Sequence, residues 1–295
     1  MTMPDTPLTL RGAVKLVGEK LALAGIEQPS AEARRLIVEA LEIDSVELIR
    51  NPEKVLSTSQ VDAVQHWLKR RSCGEPLARI RGWQEFYGRR FELTEATLEP
   101  RADTETLIDA VLAKADESHG RSYPWRILDV GTGTGCIAIT LLAELPQARA
   151  VATDISAQAI HTAKTNAQSH GVEARFQSCV TDLADGLTMD FDFVVSNPPY
   201  IKSEEIIALK TEVKAFDPLL ALDGGSSGLS CYCKLSSQLA RSAWVGHLFV
   251  EIAANDHGRV VEAFDQEGLK FKREGAKLWR DLTGHVRCVA IETLP

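Results

Sequence analysis

Three stretches carry residue types at spacings that could do chemistry: a glycine loop at 131–135, an acid at 154 and a turn at 197–200. The last is the most constrained. In Phe191-Asp-Phe-Val-Val-Ser-Asn197-Pro198-Pro199-Tyr200-Ile, a run of strand-forming residues stops at an amide, two prolines follow, and then an aromatic. Both prolines lack an N–H and fix φ near −65°, so neither continues a strand or enters a helix interior. The chain therefore leaves the sheet stiffly, with the Asn197 side chain and the Pro198 carbonyl given little freedom to relax. Two rigid acceptors beside an aromatic face suit a planar group that carries an –NH2.

The loop Gly131-Thr132-Gly133-Thr134-Gly135 lies between a strand and a helix, where open α/β sheets bind ligands. Glycine lets the backbone turn tightly and approach a ligand closely. Asp129 precedes the loop, and Cys136 stands where a dinucleotide fingerprint wants its third glycine. Asp154 follows Gly135 by 19 residues at the end of the next strand, the position from which a carboxylate bonds ribose hydroxyls. Together these features point to a nucleoside site. No Gly-Lys-Ser/Thr follows the loop, which excludes a phosphate-binding P-loop. An acidic approach sits poorly beside a pyrophosphate and better beside a cation, so S-adenosylmethionine is expected rather than a nicotinamide cofactor.

The elements that must position these residues fall into two patterns. Residues 9–72 read as all-helical. Thr9 caps a helix bearing Leu10, Val14, Val17 and Leu21 and ending at Gly25; Ser30 caps one bearing Leu36, Ile37, Ala40 and Leu41. Ser45 opens a short piece stopped at Asn51-Pro52, and Ser59 leads into Val61, Val64 and Leu68. From Gly74 to Pro100, apolar and polar residues interleave around Gly88, which suits a β-hairpin linker. Asp103 is placed as the cap of a further helix. From Arg126 strands and helices alternate, with strands at 127–130, 150–153, 174–177, 191–196 and 244–252, and a closing pair at 271–273 and 286–291. Such alternation implies a doubly wound, mainly parallel sheet.

Composition sets the class. An apolar fraction of 44% with 25% charge is that of a globular chain, and the net charge of −8 disfavours life on a phosphate backbone. No direct nucleic-acid partner is expected. No apolar run approaches the ~20 residues that span a bilayer, and the first residues lack a signal-peptide pattern, so no membrane association and a cytoplasmic location are expected. The six cysteines are scattered, with no paired zinc spacing, so thiols and no metal are expected.

With Asn197-Pro-Pro-Tyr200 at a strand end, the chain resembles the amino-methyltransferases, which methylate a planar –NH2 nitrogen. Gly74-Glu-Pro-Leu77, Phe86-Tyr87, Pro100-Arg101-Ala-Asp103-Thr104-Glu105, Glu212-Val213, Asp217-Pro218, Ala221-Leu-Asp-Gly-Gly225 and Asp281-Leu-Thr-Gly284-His-Val-Arg287 narrow the likeness. From residue 73 onward it resembles the release factor glutamine methyltransferases (the PrmC/HemK family). The resemblance implies a class I S-adenosylmethionine-dependent methyltransferase fold: a Rossmann-like, mainly parallel seven-stranded sheet with a small all-α N-terminal domain joined by a β-hairpin. The implied domains are 1–73 (helical, a candidate for substrate recognition), 74–99 (hairpin) and 100–295 (catalytic).

The implied activity is N5-methylation of the glutamine in the Gly-Gly-Gln motif of class I peptide chain release factors, by a monomer, with S-adenosylhomocysteine as product. Carried over by position, Asp129, Gly131, Thr132, Gly133, Thr134, Gly135, Asp154, Asp182, Leu183 and Asn197 bind the cofactor. Asn197, Pro198 and Tyr200 are catalytic, and Asn197, Pro198, Pro199 and Tyr200 bind the substrate amide. Ala102 stands where the family has proline, and Glu251-Ile-Ala-Ala-Asn255 replaces a Glu-Ile-Gly pattern. Arg101 and Glu105 read either as site residues or as a helix-start ion pair. Methylation of a ribosomal-protein glutamine or of adenine N6 in DNA is the alternative chemistry for the same seat.

Overall fold

A computed structural model describes residues 7–272 and 275–295. The chain divides into two compact units, Met1–Gly82 with Thr211–Phe216, and Trp83–Lys210 with Asp217–Pro295. The hairpin thus groups with the sheet, and the division falls at 82/83.

The first unit contains α1 (Leu10–Leu23), α2 (Pro29–Leu41), α3 (Glu47–Arg50), α4 (Thr58–Ser72) and α5 (Leu77–Arg81). Leu10, Ala13, Val17 and Leu21 form the buried stripe of α1 and pack with Leu36 and Ile37 of α2 and Val64 of α4. Thr9 caps α1 through Gly12 N–H, as its hydroxyl chemistry requires. Two expected caps move. Left-handed Gln28 precedes α2, whose first residue is Pro29 and not a residue after Ser30. Ser57, not Ser59, caps α4, in a reciprocal capping box with Gln60. Leu77–Arg81, read as part of the hairpin, is a helical turn ended by Gly82 at φ +82°.

The second unit begins with β1 (Trp83–Phe86) and β2 (Arg89–Glu92), antiparallel, with Phe86 opposite Arg89. Tyr87 and Gly88 both take positive φ, the geometry of a two-residue hairpin turn that follows strand twist. The helix α6 (Glu105–Glu117) follows a 3₁₀ turn at Ala102–Thr104, so Asp103 lies within that turn and is not the helix cap. Then come β3 (Arg126–Val130), α7 (Cys136–Glu144), β4 (Arg149–Asp154), α8 (Ala157–Ser169), β5 (Phe176–Val180) and β6 (Phe193–Ser196). The turn α9 (Thr211–Lys214) belongs to the first unit, and α10 (Ser230–Arg241), β7 (His247–Glu251), α11 (His257–Gln266), β8 (Lys277–Arg280) and β9 (Val286–Glu292) complete the second.

The sheet has seven strands in the order β5-β4-β3-β6-β7-β9-β8, parallel except at β9, which runs against both neighbours. The final pair therefore uses 277–280. Phe271 makes only an isolated bridge to Thr293, and Arg273 of the expected strand lies outside the described residues.

Alternation along each strand sorts the core into two layers. Ile127, Phe193, Val195 and Phe249 face a cluster with α6, α7 and α8. Leu128, Val130, Val194, Leu248 and Val250 face a second cluster with Tyr232 and Leu235 of α10 and Val260 and Phe264 of α11. Among the described residues no helix is long and apolar enough to cross a membrane.

Candidate active site

Strand order reverses between β3 and β6, so their carboxyl ends form the crevice where open α/β sheets bind ligands. The register makes this specific. Thr153, Val130, Ser196 and Val250 are paired across four adjacent parallel strands. One residue further along each strand stand Asp154, Gly131, Asn197 and Glu251. Strands lie about 4.8 Å apart, so these four leave the sheet side by side. The expected cofactor loop and amide seat are thus neighbours by backbone geometry alone.

Gly131 and Gly133 take φ +73° and +55°, and a Cβ at either would meet nothing within 4 Å. They combine a conformation other residues resist with open space for a ligand. Gly135 differs: at φ +82° its absent Cβ would lie 2.7 Å from Ile139 Cδ1 and 3.2 Å from Ala163 Cβ. It is a packing glycine that brings α7 against α8. Thr132 and Thr134 are buried.

Asp154 accepts from Gly133 N–H at 3.0 Å and Ser156 N–H at 2.9 Å, which ties the loop to the end of β4. Burial raises its pKa, and the backbone N–H groups of Ser156, Gly133 and Ile155 oppose that. Asp129 lies on β3 just before the loop. It is 0% exposed, beneath the loop, where its Oδ2 accepts from Thr132 Oγ1 at 2.6 Å and Ala138 N–H at 3.2 Å. These bonds tie the loop to the start of α7. Its Oδ1 has no hydrogen-bond partner, and burial pushes its pKa up to about 6. A cation above the loop would favour that charge, so the residues fit a sulfonium ligand.

Asp182 is half exposed and ion-paired with Lys234. Gln238 holds this segment at both ends, donating to the Asp182 carbonyl at 3.1 Å and accepting from Ala184 N–H at 3.0 Å. Between them Leu183 is left-handed at φ +58° and packs on the core. Ile155 and Val180, both over half exposed, flank Asp154, whose own register partner is Val180. They offer an apolar ledge for an aromatic ring. Sequence reasoning missed them, although an apolar residue straight after a strand-end acid was visible.

Asn197 is half-buried, Pro198 buried, and Pro199 and Tyr200 half-buried. The exit of this turn is braced: Ile201 N–H donates to Leu222 O at 3.1 Å, and Gly224 N–H donates to Ile201 O at 2.8 Å. A Cβ on Gly224 would lie 2.8 Å from both Pro199 O and Tyr200 Cα, and one on Gly228 would lie 2.6 Å from Tyr200 O. These glycines let the 222–228 loop close against the backbone of the turn, the physical reason for glycine at 224 and 228.

Behind the turn lies a polar chain that sequence reasoning did not assign. Asn197 Nδ2 donates to Thr104 Oγ1 at 3.1 Å, Thr104 Oγ1 donates to Glu251 Oε2 at 2.5 Å, and Tyr200 OH makes a long contact of 3.4 Å to Glu251 Oε1. Glu251 is 2% exposed, and burial pushes its pKa up to about 7. An acid closing the apolar run Leu248-Phe-Val250 was the available signal. Arg101 and Glu105 do not pair with each other. Arg101 bonds Asp217 at 2.6 Å, and Glu105 accepts from Tyr87 N–H at 2.8 Å. Arg287 bridges Asp103 and Asp281, each at 2.9 Å. Among the described residues no group of His, Cys, Asp and Glu is placed to hold a metal, and the cysteines are unpaired.

Residues 106–215 match the model of the methyltransferase small domain, and residues 13–82 match that of the PrmC N-terminal domain. The chain is 36% identical over 292 residues to the release factor glutamine methyltransferase of Bradyrhizobium diazoefficiens, covering 99% of this chain and 97% of that one. It is 38% identical over 223 residues to the enzyme of the same name from Agrobacterium fabrum, covering 76% and 77%. Among solved structures, the human Mettl16 catalytic domain in complex with an RNA hairpin superposes with a TM-score of 0.52 at 15% identity, covering 79% of this chain and 81% of that one, a likeness of fold. End-to-end similarity at this level, on a sheet that sets a glycine loop beside an Asn-Pro-Pro-Tyr turn, means that the chain belongs to the release factor glutamine methyltransferase family.

Proposed function

We propose that this protein methylates the N5 nitrogen of the glutamine in the Gly-Gly-Gln motif of class I release factors, drawing the methyl group from S-adenosylmethionine. The observation that carries the site assignment is the register row that sets Gly131 and Asp154 beside Asn197. In this reading the backbone of Gly131–Gly135 lies under the methionine part of the cofactor. Asp154 accepts from the ribose, and Ile155, Val180 and the Asp182-Leu183 segment border the adenine. The cofactor supplies a methyl group activated on a sulfonium and leaves as S-adenosylhomocysteine.

An amide nitrogen is a poor nucleophile because its lone pair is delocalised into the carbonyl. The two N–H groups of the substrate amide donate to Asn197 Oδ1 and the Pro198 carbonyl, which favours positive charge developing on nitrogen. Each acceptor contributes about 3–4 kcal/mol if comparable to a preorganised oxyanion donor. Rate enhancements correspond to about 8–23 kcal/mol, so alignment of the two reactants, worth about 7–11 kcal/mol, contributes more than either acceptor. Pro199 stiffens the seat, and Tyr200 flanks the planar amide with its hydroxyl held by Glu251. The proton leaves to water after transfer. The N-terminal helices serve substrate recognition, in which case surface substitutions there raise KM for an intact release factor but not for a short peptide.

Asn197→Ala tests the assignment. Cofactor affinity should stay within ~3-fold, since Asp154 and the glycine loop are untouched, while labelled-methyl incorporation falls about 10²–10³-fold. Incorporation near the wild-type rate would remove Asn197 from the chemistry.

A further inference from the structure

The register row ends on Glu251, and Thr104 spans from it to Asn197. We propose that Thr104 and Glu251 are positioning residues that fix which face of the Asn197 amide meets the substrate, holding Oδ1 forward as the acceptor. This rests on the reading of Asn197 as the seat of the glutamine amide.

The polarity follows from counting protons. A threonine hydroxyl has one, and a carboxylate can only accept. At 2.5 Å the Thr104 proton is committed to Glu251 Oε2, a charge-assisted bond. Only lone pairs remain on Thr104 Oγ1 for the Asn197 atom 3.1 Å away, so that atom must be Nδ2. Oδ1 then occupies the other branch of the planar amide. A half-turn about the Asn197 side chain would break the bond to Thr104 and present an –NH2 to the substrate –NH2, donor against donor.

A buried carboxylate is well placed to set this direction. Thr104 and Glu251 are each 2% exposed, so water does not compete for the bond. The same carboxylate meets Tyr200 OH, and Tyr232 OH of α10 donates to the Glu251 carbonyl at 2.7 Å, which fixes the end of β7. The groups around it are Asp103 on the 3₁₀ turn, Arg287 and the thiol Cys288 on β9, Cys136 on α7, and the two tyrosines. Asp103 opposes its charge, and Arg287 offsets that while itself engaged by Asp103 and Asp281. Burial outweighs the Thr104, Arg287 and Tyr200 contacts that favour the charge, so Glu251 titrates at about 7. Once it is protonated, one of its oxygens becomes a donor and the direction of the chain is no longer imposed.

The test compares Thr104→Val, Thr104→Ser and Glu251→Gln with wild type, using a Gly-Gly-Gln release factor as methyl acceptor. Thr104→Val keeps shape and removes the hydroxyl. Its kcat should fall about 10- to 100-fold, the usual effect of losing an orienting partner, with KM and cofactor affinity within ~3-fold. Thr104→Ser should restore kcat to within ~3-fold of wild type. Wild-type kcat should fall below about pH 7 on a single ionisation. That limb should vanish in Thr104→Val and in Glu251→Gln.

Thr104→Val at the wild-type kcat, Thr104→Ser as impaired as the valine variant, or an unchanged acid limb in either limb-testing variant would each overturn the proposal. Should the valine variant not fold, Glu251→Gln alone decides, through loss or retention of the limb. An inactive Asn197→Ala beside a wild-type-like Thr104→Val would sink the relay alone. An active Asn197→Ala would sink the seat itself.

Discussion

Gly224→Ala perturbs the amide seat through the backbone of its turn, leaving every side chain of the seat unchanged in type. Gly224 does not have a positive φ, so alanine meets no conformational penalty there and the whole effect is steric. The added methyl would lie 2.8 Å from Pro199 O and 2.8 Å from Tyr200 Cα, both backbone atoms that cannot swing aside. Ordinary contact begins near ~3.5 Å, so the turn and the 222–228 loop must separate by more than about half an ångström. Overpacking of this kind costs about 1–3 kcal/mol, which in a domain this size lowers Tm by roughly 2–12 °C. The seat is displaced by a similar distance, and misplacement on the scale of an ångström costs up to ~10²-fold in rate. Methyl transfer to a Gly-Gly-Gln release factor should therefore fall about 10- to 100-fold, while cofactor affinity by calorimetry stays within ~3-fold because the Gly131–Asp154 side is unchanged. A variant with wild-type kcat and unchanged Tm would refute the idea that the glycine pair presses the turn into place.

Asp154→Ala should weaken cofactor binding about 10- to 100-fold, through loss of a charged acceptor and of the Gly133 N–H tie, and calorimetry reads it directly. Arg101→Met removes the cation that bonds the Asp217 carboxylate, whose side chain is 2% exposed. Because Arg101 is itself 40% exposed, a loss of about 2 kcal/mol in urea unfolding is expected, below the ~3–5 kcal/mol of a wholly buried pair. Glu251 titrates at about 7 when folded against an ordinary value of 4.5, so its raised pKa favours the folded state at low pH and that advantage is lost as pH rises through 7. The stability of Glu251→Gln relative to wild type should thus improve by about 3 kcal/mol between pH 4.5 and 8, measured by denaturant titration at both.

Alternating strand and helix patterns made the parallel sheet legible, because each strand buried on both faces writes a continuous apolar run such as Phe193-Val-Val. The glycine loop, Asp154 and the Asn-Pro-Pro-Tyr turn were legible for a related reason: positive φ, strand termination and proline leave marks that need no tertiary context. What stayed hidden depends on distance in space. Thr104 reads as a helix-start residue and Glu251 as one more acid, and only the pairing of β6 with β7 brings them behind Asn197. Asp129 was legible by its spacing from the loop, but its bonds to Thr132 and Ala138 were not, because they depend on how the loop folds back over β3. Caps were the least secure local reading. Ser59 and Ser30 have the right chemistry, but Ser57 has Gln60 to complete a box, and Pro29 already supplies the first-turn φ.

The central claim is that the residue row past β3, β4 and β6 transfers a methyl group to a glutamine side chain. It is tested most directly by incubating the protein with isotope-labelled S-adenosylmethionine and a release factor, then locating the label by peptide mass spectrometry. A single labelled methyl on the glutamine of Gly-Gly-Gln is expected, its rate of incorporation about 10²–10³-fold lower when Asn197→Ala replaces the wild type. Label on a ribosomal-protein glutamine or on DNA adenine in preference to the release factor, or equal labelling by Asn197→Ala, would contradict it.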